Sequence, residues 1–211
     1  MNLEKLTSTQ IFDMAEFVVS ENFKHHFLDM NSLGFTNEVN SVYDEELTYF
    51  GSSNIFVGKE CQGSIHGSIR VMKWNYVDPL PLQKIFGINP FSCVDTSKIF
   101  EIFHIGRFAI KKELPSLQLF KQLVLCAIAP VCEHKKNVAF AECDRKLLRV
   151  LSMLGIKIVI LGKSLNYLGS ETIPILLKYE GLVEFYRQNL ALISDAMINE
   201  LTDGYRERLA I

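Results

Sequence analysis

Four side chains able to move protons or hold anions stand in strand-forming, apolar surroundings. Arg70 lies in GSIRVMKW (67–74), and Glu101, His104 and Arg107 lie in IFEIFHIGRFAIKK (99–112). Burying an unpaired charge costs several kcal/mol, on the order of a domain's whole margin of stability. A strand that carries an acid, an imidazole and guanidiniums through such company is expected to line a polar cleft in the middle of a sheet. The alternative is a structural salt bridge from Arg107 to Glu101 or Asp44. Regular alternation would put Glu101, Phe103 and Arg107 on one face of the strand, and His104 with Gly106 on the other.

Other chemistries find no support. The neighbours His25 and His26 lack the three- or four-residue spacing that a helical metal site needs, and His66 stands alone on its strand. The five cysteines form no CxxC pair and no nucleophile motif. Three of them sit in apolar segments and read as buried free thiols. GxxxxGK[ST], GxGxxG and GxSxG are all absent. Metal, P-loop, dinucleotide, α/β-hydrolase and cysteine-hydrolase chemistries are therefore disfavoured.

The elements that position the four residues follow from patterning. Thr7, Ser8 and Thr9 offer a helix N-cap, and Ile11, Phe12, Ala15, Val18 and Val19 then recur at helical spacing. That first helix is expected to reach about Phe27, before a looser stretch, NSLGFTNEVNS. Strand-like runs follow at 53–59, 63–73 and 99–110. In the second, Ile65, Gly67, Ile69 and Val71 alternate with Ser64, His66, Ser68 and Arg70, which predicts one polar face. VDPLPLQKIFGINP holds three prolines and reads as a surface loop. LQLFKQLVLCAIAPVCEHKK reads as a buried helix broken or ended near Pro130. NVAFAEC is a strand. DRKLLRVLSMLG is a helix opened by Asp144 and closed by Gly155, and KIVILGK is another strand. In the strand ETIPILLKY, Pro174 favours an edge or a bulge. The chain ends in a helix at about 180–209.

The fold class expected is α/β, a mixed sheet flanked by helices on both faces. At 211 residues and 48% hydrophobic, the chain can fill one domain, 1–211, with an N-terminal helical segment at about 5–30. A formal charge of −2 with interspersed signs gives no nucleic-acid stripe, and no run is long and apolar enough to span a membrane. MNLEKLTSTQ lacks the features of a signal peptide, so a cytoplasmic protein is expected.

GSIRVMKW with a Pro-rich loop, then HIGRFAIKK, then DRKLLRVLSMLGI and YLGSETIPILL resembles the acyl-homoserine-lactone (autoinducer) synthases, a branch of the GNAT acyltransferase superfamily. Gly67, Arg70 and Val71 stand at the family's G-x-x-R-[LV]. His104, Arg107, Phe108, Ala109 and Ile110 stand at its E-x-x-R-F-A-[VI], with His104 in place of the glutamate. Tyr43 and Asp44 match part of an earlier acidic motif, where Ser41 replaces the first acid. Phe23, Phe27 and Phe35 are the nearest to an Arg-Phe-Trp set that seats S-adenosylmethionine in the family, and no arginine precedes Arg70. The chain thus looks more like the related N-acyl amino acid synthases. The glycine loop of ordinary GNAT acetyltransferases is absent from KKELPSLQLF, and Leu151 stands at their acid tyrosine. These departures are shared with the autoinducer branch.

The resemblance implies an N-acyltransferase. An acyl group would pass from acyl-CoA, or from the phosphopantetheine of an acyl carrier protein, to the amine of a small, amino-acid-like acceptor, with no tightly bound cofactor. His104 would be the base, with Glu101 as the alternative. Arg70, Arg107 and Asp44 would hold the acceptor, a guanidinium fork suiting its carboxylate. Backbone amides at Phe108, Ala109 and Ile110 would polarise the thioester, and Lys111 and Lys112 would meet donor phosphate or a carrier protein. Two further readings follow from the departures: an inactive GNAT-like module that binds an acyl ligand or a protein, and a small-amine acetyltransferase.

Overall fold

The computed structural model describes residues 2–26, 33–113, 115–167, 170–194, 196–198 and 201. In chain order the elements are β1 (Asn2–Lys5), α1 (Ile11–His26), α2 (Leu33–Tyr49), β2 (Ser53–Lys59), β3 (Ile65–Lys73), α3 (Pro81–Phe86), β4 (Ile102–Ile110), α4 (Leu117–Cys132), β5 (Val138–Asp144), α5 (Arg145–Met153), β6 (Ile158–Ile160), β7 (Leu165–Tyr167), β8 (Ser170–Lys178) and α6 (Tyr179–Asn189). The α/β class with mixed parallel and antiparallel strands is as expected. The chain forms two compact units, Met1–Met72 with Arg107–Ala127, and Lys73–Gly106 with Ile128–Ile211.

In the first unit β1, β2 and β3 form an antiparallel meander in which Ile55 pairs with Arg70 and Gly58 with Gly67. α1 buries Ile11, Met14, Ala15 and Val19, against Ile55 and Val57 of β2 and against Val39 and Val42 of α2. Gly58 and Gly67 let α4 come close to the strands: a Cβ on Gly58 would stand 2.3 Å from a methyl of Leu119. β3 departs from the expected pattern of one wet face. Its residues 66–72 are all buried: His66 Nε2 lies 3.3 Å from Ser64 Oγ and Arg70 is met by a buried carboxylate, whereas Ser68 Oγ meets no hydrogen-bond partner among the described residues.

α2 was not expected, because the stretch that opens it is rich in Gly, Asn, Ser and Thr, all weak helix formers. Packing supplies what propensity lacks. Val39, Val42 and Glu46, spaced three and four apart, are buried on one face, and Phe35 meets Phe23 of α1 edge-on at 5.3 Å. Phe27, expected near the end of α1, lies outside the described residues.

In the second unit β4 and β5 run parallel, β8 pairs antiparallel with β5, and β6 and β7 pair with β8. The proline-rich segment is more than a surface loop. Pro81 occupies the first turn of α3, where its missing N–H does no harm, Gly87 closes the helix at φ 65°, and Leu80, Leu82 and Pro90 are buried. α4 continues past Pro130 to Cys132. The Pro130 carbonyl, among the last of the helix and without an intrahelical partner, accepts from buried Asn137 at 2.8 Å.

Asp144 caps α5 through Leu147 N–H at 2.6 Å, and Gly155 follows the helix at φ 82°. β8 is paired on both sides, so Pro174 is not on an edge strand. Its carbonyl accepts from Leu161, and its hydrogen-less nitrogen therefore faces the same side, just where β6 has ended at Ile160. The expected C-terminal helix is interrupted. α6 stops at Asn189, a 3₁₀ turn covers Leu190–Leu192, and residues past 201 lie outside the described set.

Gly181, inside α6, is fixed by contact with the backbone. A Cβ there would meet the Lys157 carbonyl oxygen at 2.4 Å, while Lys157 N–H donates to the Gly181 carbonyl at 3.0 Å. Helix propensity alone favours alanine. We expect Gly181→Ala instead to destabilise by about 1–3 kcal/mol. Gly51→Ala, whose Cβ meets nothing within 4 Å, should change little. Urea unfolding of both variants checks this.

Candidate active site

Within the first unit, α2 brings Glu45 and Glu46 to the guanidiniums of β3 and β4. Glu46 is fully buried, and its Oε1 accepts from Arg70 Nη1 at 2.6 Å and from Arg107 Nε at 2.7 Å. Glu45 Oε2 accepts from Arg107 Nη2 at 2.8 Å. Arg70 is itself buried, whereas Arg107 and Glu45 keep 21% and 32% of their side chains in contact with solvent. Two cations thus face two anions, buried at one end and open at the other. Burial works to lower the Arg107 pKa, but the charges of Glu46 and Glu45 and their hydrogen bonds outweigh it, so its pKa is raised.

Arg107 sits in the left-handed region at φ 54°, rare for a side-chain-bearing residue and costing about 1–2 kcal/mol. The expected alternation along β4 therefore breaks at this residue, and its side chain is re-aimed. The break comes two residues after the ladder with β5 stops, because β5 pairs only with Ile102–Ile105. Beyond it, Phe108 meets Phe120 of α4 edge-on at 5.2 Å, and Ala109 and Ile110 are half-buried. Lys111 N–H donates to the His66 carbonyl at 2.9 Å. Lys112 is held at both ends, its N–H donating to buried Glu21 at 2.8 Å and its Nζ to the Lys24 carbonyl at 3.0 Å. The end of β4 is moored to α1 in this way.

The other two titratable residues of the strand run lie in the second unit. His104 is 2% exposed, and its Nε2 lies 2.9 Å from Glu142 Oε2 of β5, itself 10% exposed. Glu101 is bonded instead to the Lys73 ammonium. The structural alternative for Arg107, a bridge to Glu101 or Asp44, is corrected accordingly: its partners are Glu45 and Glu46. Asp44 is exposed, and its carbonyl accepts from Thr48 Oγ1 at 2.8 Å.

Three carboxylates escaped the sequence reading. Glu45 and Glu46 sit in DEE, where the helical spacing from Val39 and Val42 puts Glu46 on the buried face. In VAFAECD, alternation sets Glu142 beside Phe140, the residue that pairs with His104. Among the described residues, no group of His, Cys, Asp and Glu is arranged to hold a metal, and no helix is long and apolar enough to cross a membrane.

With this geometry in hand, the comparisons with known proteins are specific about fold. No protein-family model matches the chain, and no curated protein matches it. Among solved structures, it is similar to FeeM, an N-acyl amino acid synthase from uncultured soil microbes, with TM-score 0.60 and 15% identity over 89% of this chain and 99% of that one. It is similar to BjaI, a CoA-dependent acyl-homoserine lactone synthase held with SAM and isopentyl-CoA, with TM-score 0.59 and 13% identity over 89% and 88% of the two chains. A GNAT-family acetyltransferase from Staphylococcus aureus Mu50 gives TM-score 0.55 and 10% identity over 84% and 98%. The fold is that shared by GNAT acetyltransferases, acyl-homoserine lactone synthases and the N-acyl amino acid synthase.

Two outcomes test this site. Removing one partner of a buried ion pair strands the other charge, so Glu46→Ala should destabilise by about 3–5 kcal/mol. Glu45→Ala, at the solvated end, should cost about 1 kcal/mol or less. Denaturant midpoints of the two variants decide it. The second concerns Cys143, beside Glu142. Burial first, then the charges of Asp144 and Glu142, push its thiol up to about 12. It should resist alkylation near neutral pH while exposed Cys61 reacts, as peptide mapping after iodoacetamide will show.

Proposed function

We propose that this protein is an N-acyltransferase that moves an acyl group from an acyl-CoA or acyl-carrier-protein thioester to the amine of a small, amino-acid-like acceptor. The observation that carries the reading is β4 itself. In a fold shared with acyl-transferring synthases, this strand leaves its β5 ladder after Ile105 and holds Arg107 at a strained positive φ. It also keeps His104 and Arg107 in polar pairs. Strain and paired charge held in a strand are what a site retains when position matters more than stability.

The chemistry divides among the residues as follows. The acceptor ammonium gives up a proton to a base drawn from the His104–Glu142 pair. Glu101, held by Lys73, is the less favourable choice. The freed amine attacks the thioester carbonyl carbon, the C–S bond breaks, and the thiol leaves. Backbone N–H groups of Phe108, Ala109 and Ile110, past the end of the β5 ladder, stabilise the oxyanion. Arg107, open at one side, holds the acceptor carboxylate. Arg70 lies beneath it with Glu46, and Glu45 rather than Asp44 is the acid at the open end. Lys111 remains available to donor phosphate or to an acidic carrier protein, while Lys112 is committed to α1.

A second reading, a GNAT-like module that binds an acyl ligand without transferring it, is favoured by one observation: Glu101, the alternative base, is tied up by Lys73. Mass spectrometry of lipid extracts from an overexpressing host separates the two. A new N-acyl species, absent from the empty-vector host, is the expected result and names donor and acceptor together. Copurification of an acyl thioester with no N-acyl product from host extracts or an amine panel supports the binding module and overturns the transferase.

A further inference from the structure

Glu142 is a buried carboxylate with its two oxygens in different circumstances. Oε2 lies 2.9 Å from His104 Nε2, so one oxygen is held by the imidazole. Oε1 is fully buried and meets no hydrogen-bond donor among the described residues. Leaving a buried acceptor unmet costs about 1–3 kcal/mol, more when it is charged, and natural structures seldom leave such an atom without a role. Its place in the fold adds to this. Glu142 follows Ala141, the last β5 residue paired with β4, and so stands where the parallel ladder has just opened.

We infer that Glu142, not the imidazole, is the proton acceptor of this site, and that His104 is its positioning residue. The inference rests on the acyltransferase reading and deepens it. With its proton on Nε2, His104 donates to Oε2 and fixes the carboxylate's rotamer, leaving Oε1 to receive an N–H of the acceptor ammonium. One ammonium proton passes to Oε1. The nitrogen lone pair then forms the bond to the thioester carbon. As the tetrahedral intermediate collapses, the C–S bond breaks, and the second N–H proton goes to the departing thiolate. The products are an amide and a thiol, and Glu142 returns its proton to water. The acceptor class is thus a primary ammonium that reaches the site charged and is neutralised there.

The test compares Glu142→Gln, Glu142→Asp and His104→Gln by steady-state acyl transfer, using the donor and acceptor named by the lipid extracts. Glu142→Gln keeps shape but loses the basic oxygen, so kcat should fall by about 100-fold or more with donor KM within about threefold. Glu142→Asp keeps the charge and should fall less. His104→Gln keeps an N–H donor and should retain kcat within about tenfold of wild type. Urea unfolding confirms that each variant is folded, and nitrogen NMR of labelled histidine should show Nε2 of neutral His104 protonated. Full activity in Glu142→Gln, a loss in His104→Gln as deep as in Glu142→Gln, or an unprotonated Nε2 would each overturn the assignment while leaving the acyltransferase standing. A wild-type protein that transfers no acyl group from any donor overturns both.

Discussion

One carboxylate oxygen, Glu46 Oε1, receives two guanidiniums, Arg70 from β3 and Arg107 from β4. Each of these groups would be costly alone in its surroundings, and each is tolerable only because the other two are present. The constraint fixes where α2 stands, since Glu46 shares a helical face with Val39 and Val42, which pack on α1. It also supplies the partner of Arg70, the buried charge of β3, a strand buried along nearly its whole length. Glu45 extends the cluster to solvent, so that the set is structural at one end and chemically accessible at the other.

β4 is the second organising feature, and what matters is that it is irregular. It pairs with β5 for four residues, Ile102–Ile105, and then runs on without that ladder to Ile110. Arg107, at φ 54°, breaks the period of two that would otherwise continue. On its β5 side the backbone N–H and C=O groups past Ile105 leave the ladder, and groups left so are met in solution by water or by ligand. The Lys111 N–H bond to the His66 carbonyl of β3 and the Lys112 N–H bond to Glu21 hold the strand's end in place beyond the β5 ladder. Under the proposed function these bonds would hold a thioester-polarising backbone in place, and donors that must reorganise during reaction stabilise little.

The polar groups of the second unit follow the same economy. His104 Nε2 pairs with Glu142 Oε2 on the adjacent strand, Glu101 is paired with Lys73, and Cys143 is kept protonated by burial and by its acidic neighbours. A thiol so held is a poor nucleophile. The departures from the autoinducer synthases acquire a physical meaning here. Where the resembled motif has a glutamate this chain has His104, and its imidazole lies beside a carboxylate of the neighbouring strand, Glu142.

Local signals in the sequence were enough to determine the strand at 53–59, the strand expected at 99–110 from Ile102 onward but not Glu101 before it, the helix opened by Asp144 and ended at Gly155, and the presence of charge in buried strands. Each depends on neighbours a few residues away, through alternation, capping or positive φ. The resemblance in motif order led to the fold for the same reason. α2 was not legible, because its helix-poor opening is held by packing against α1, and the segment holding the helix that starts at Pro81 reads from sequence as a surface loop. The partners of the charges were beyond reach of any local rule. Arg70 and Glu46 lie 24 positions apart, His104 and Glu142 38, and Arg107 and Glu46 61. Sequence showed that these charges needed partners. Only the tertiary structure chose them, because a buried ion pair is decided by which surfaces the packing of α2, β3, β4 and β5 brings within about 3 Å.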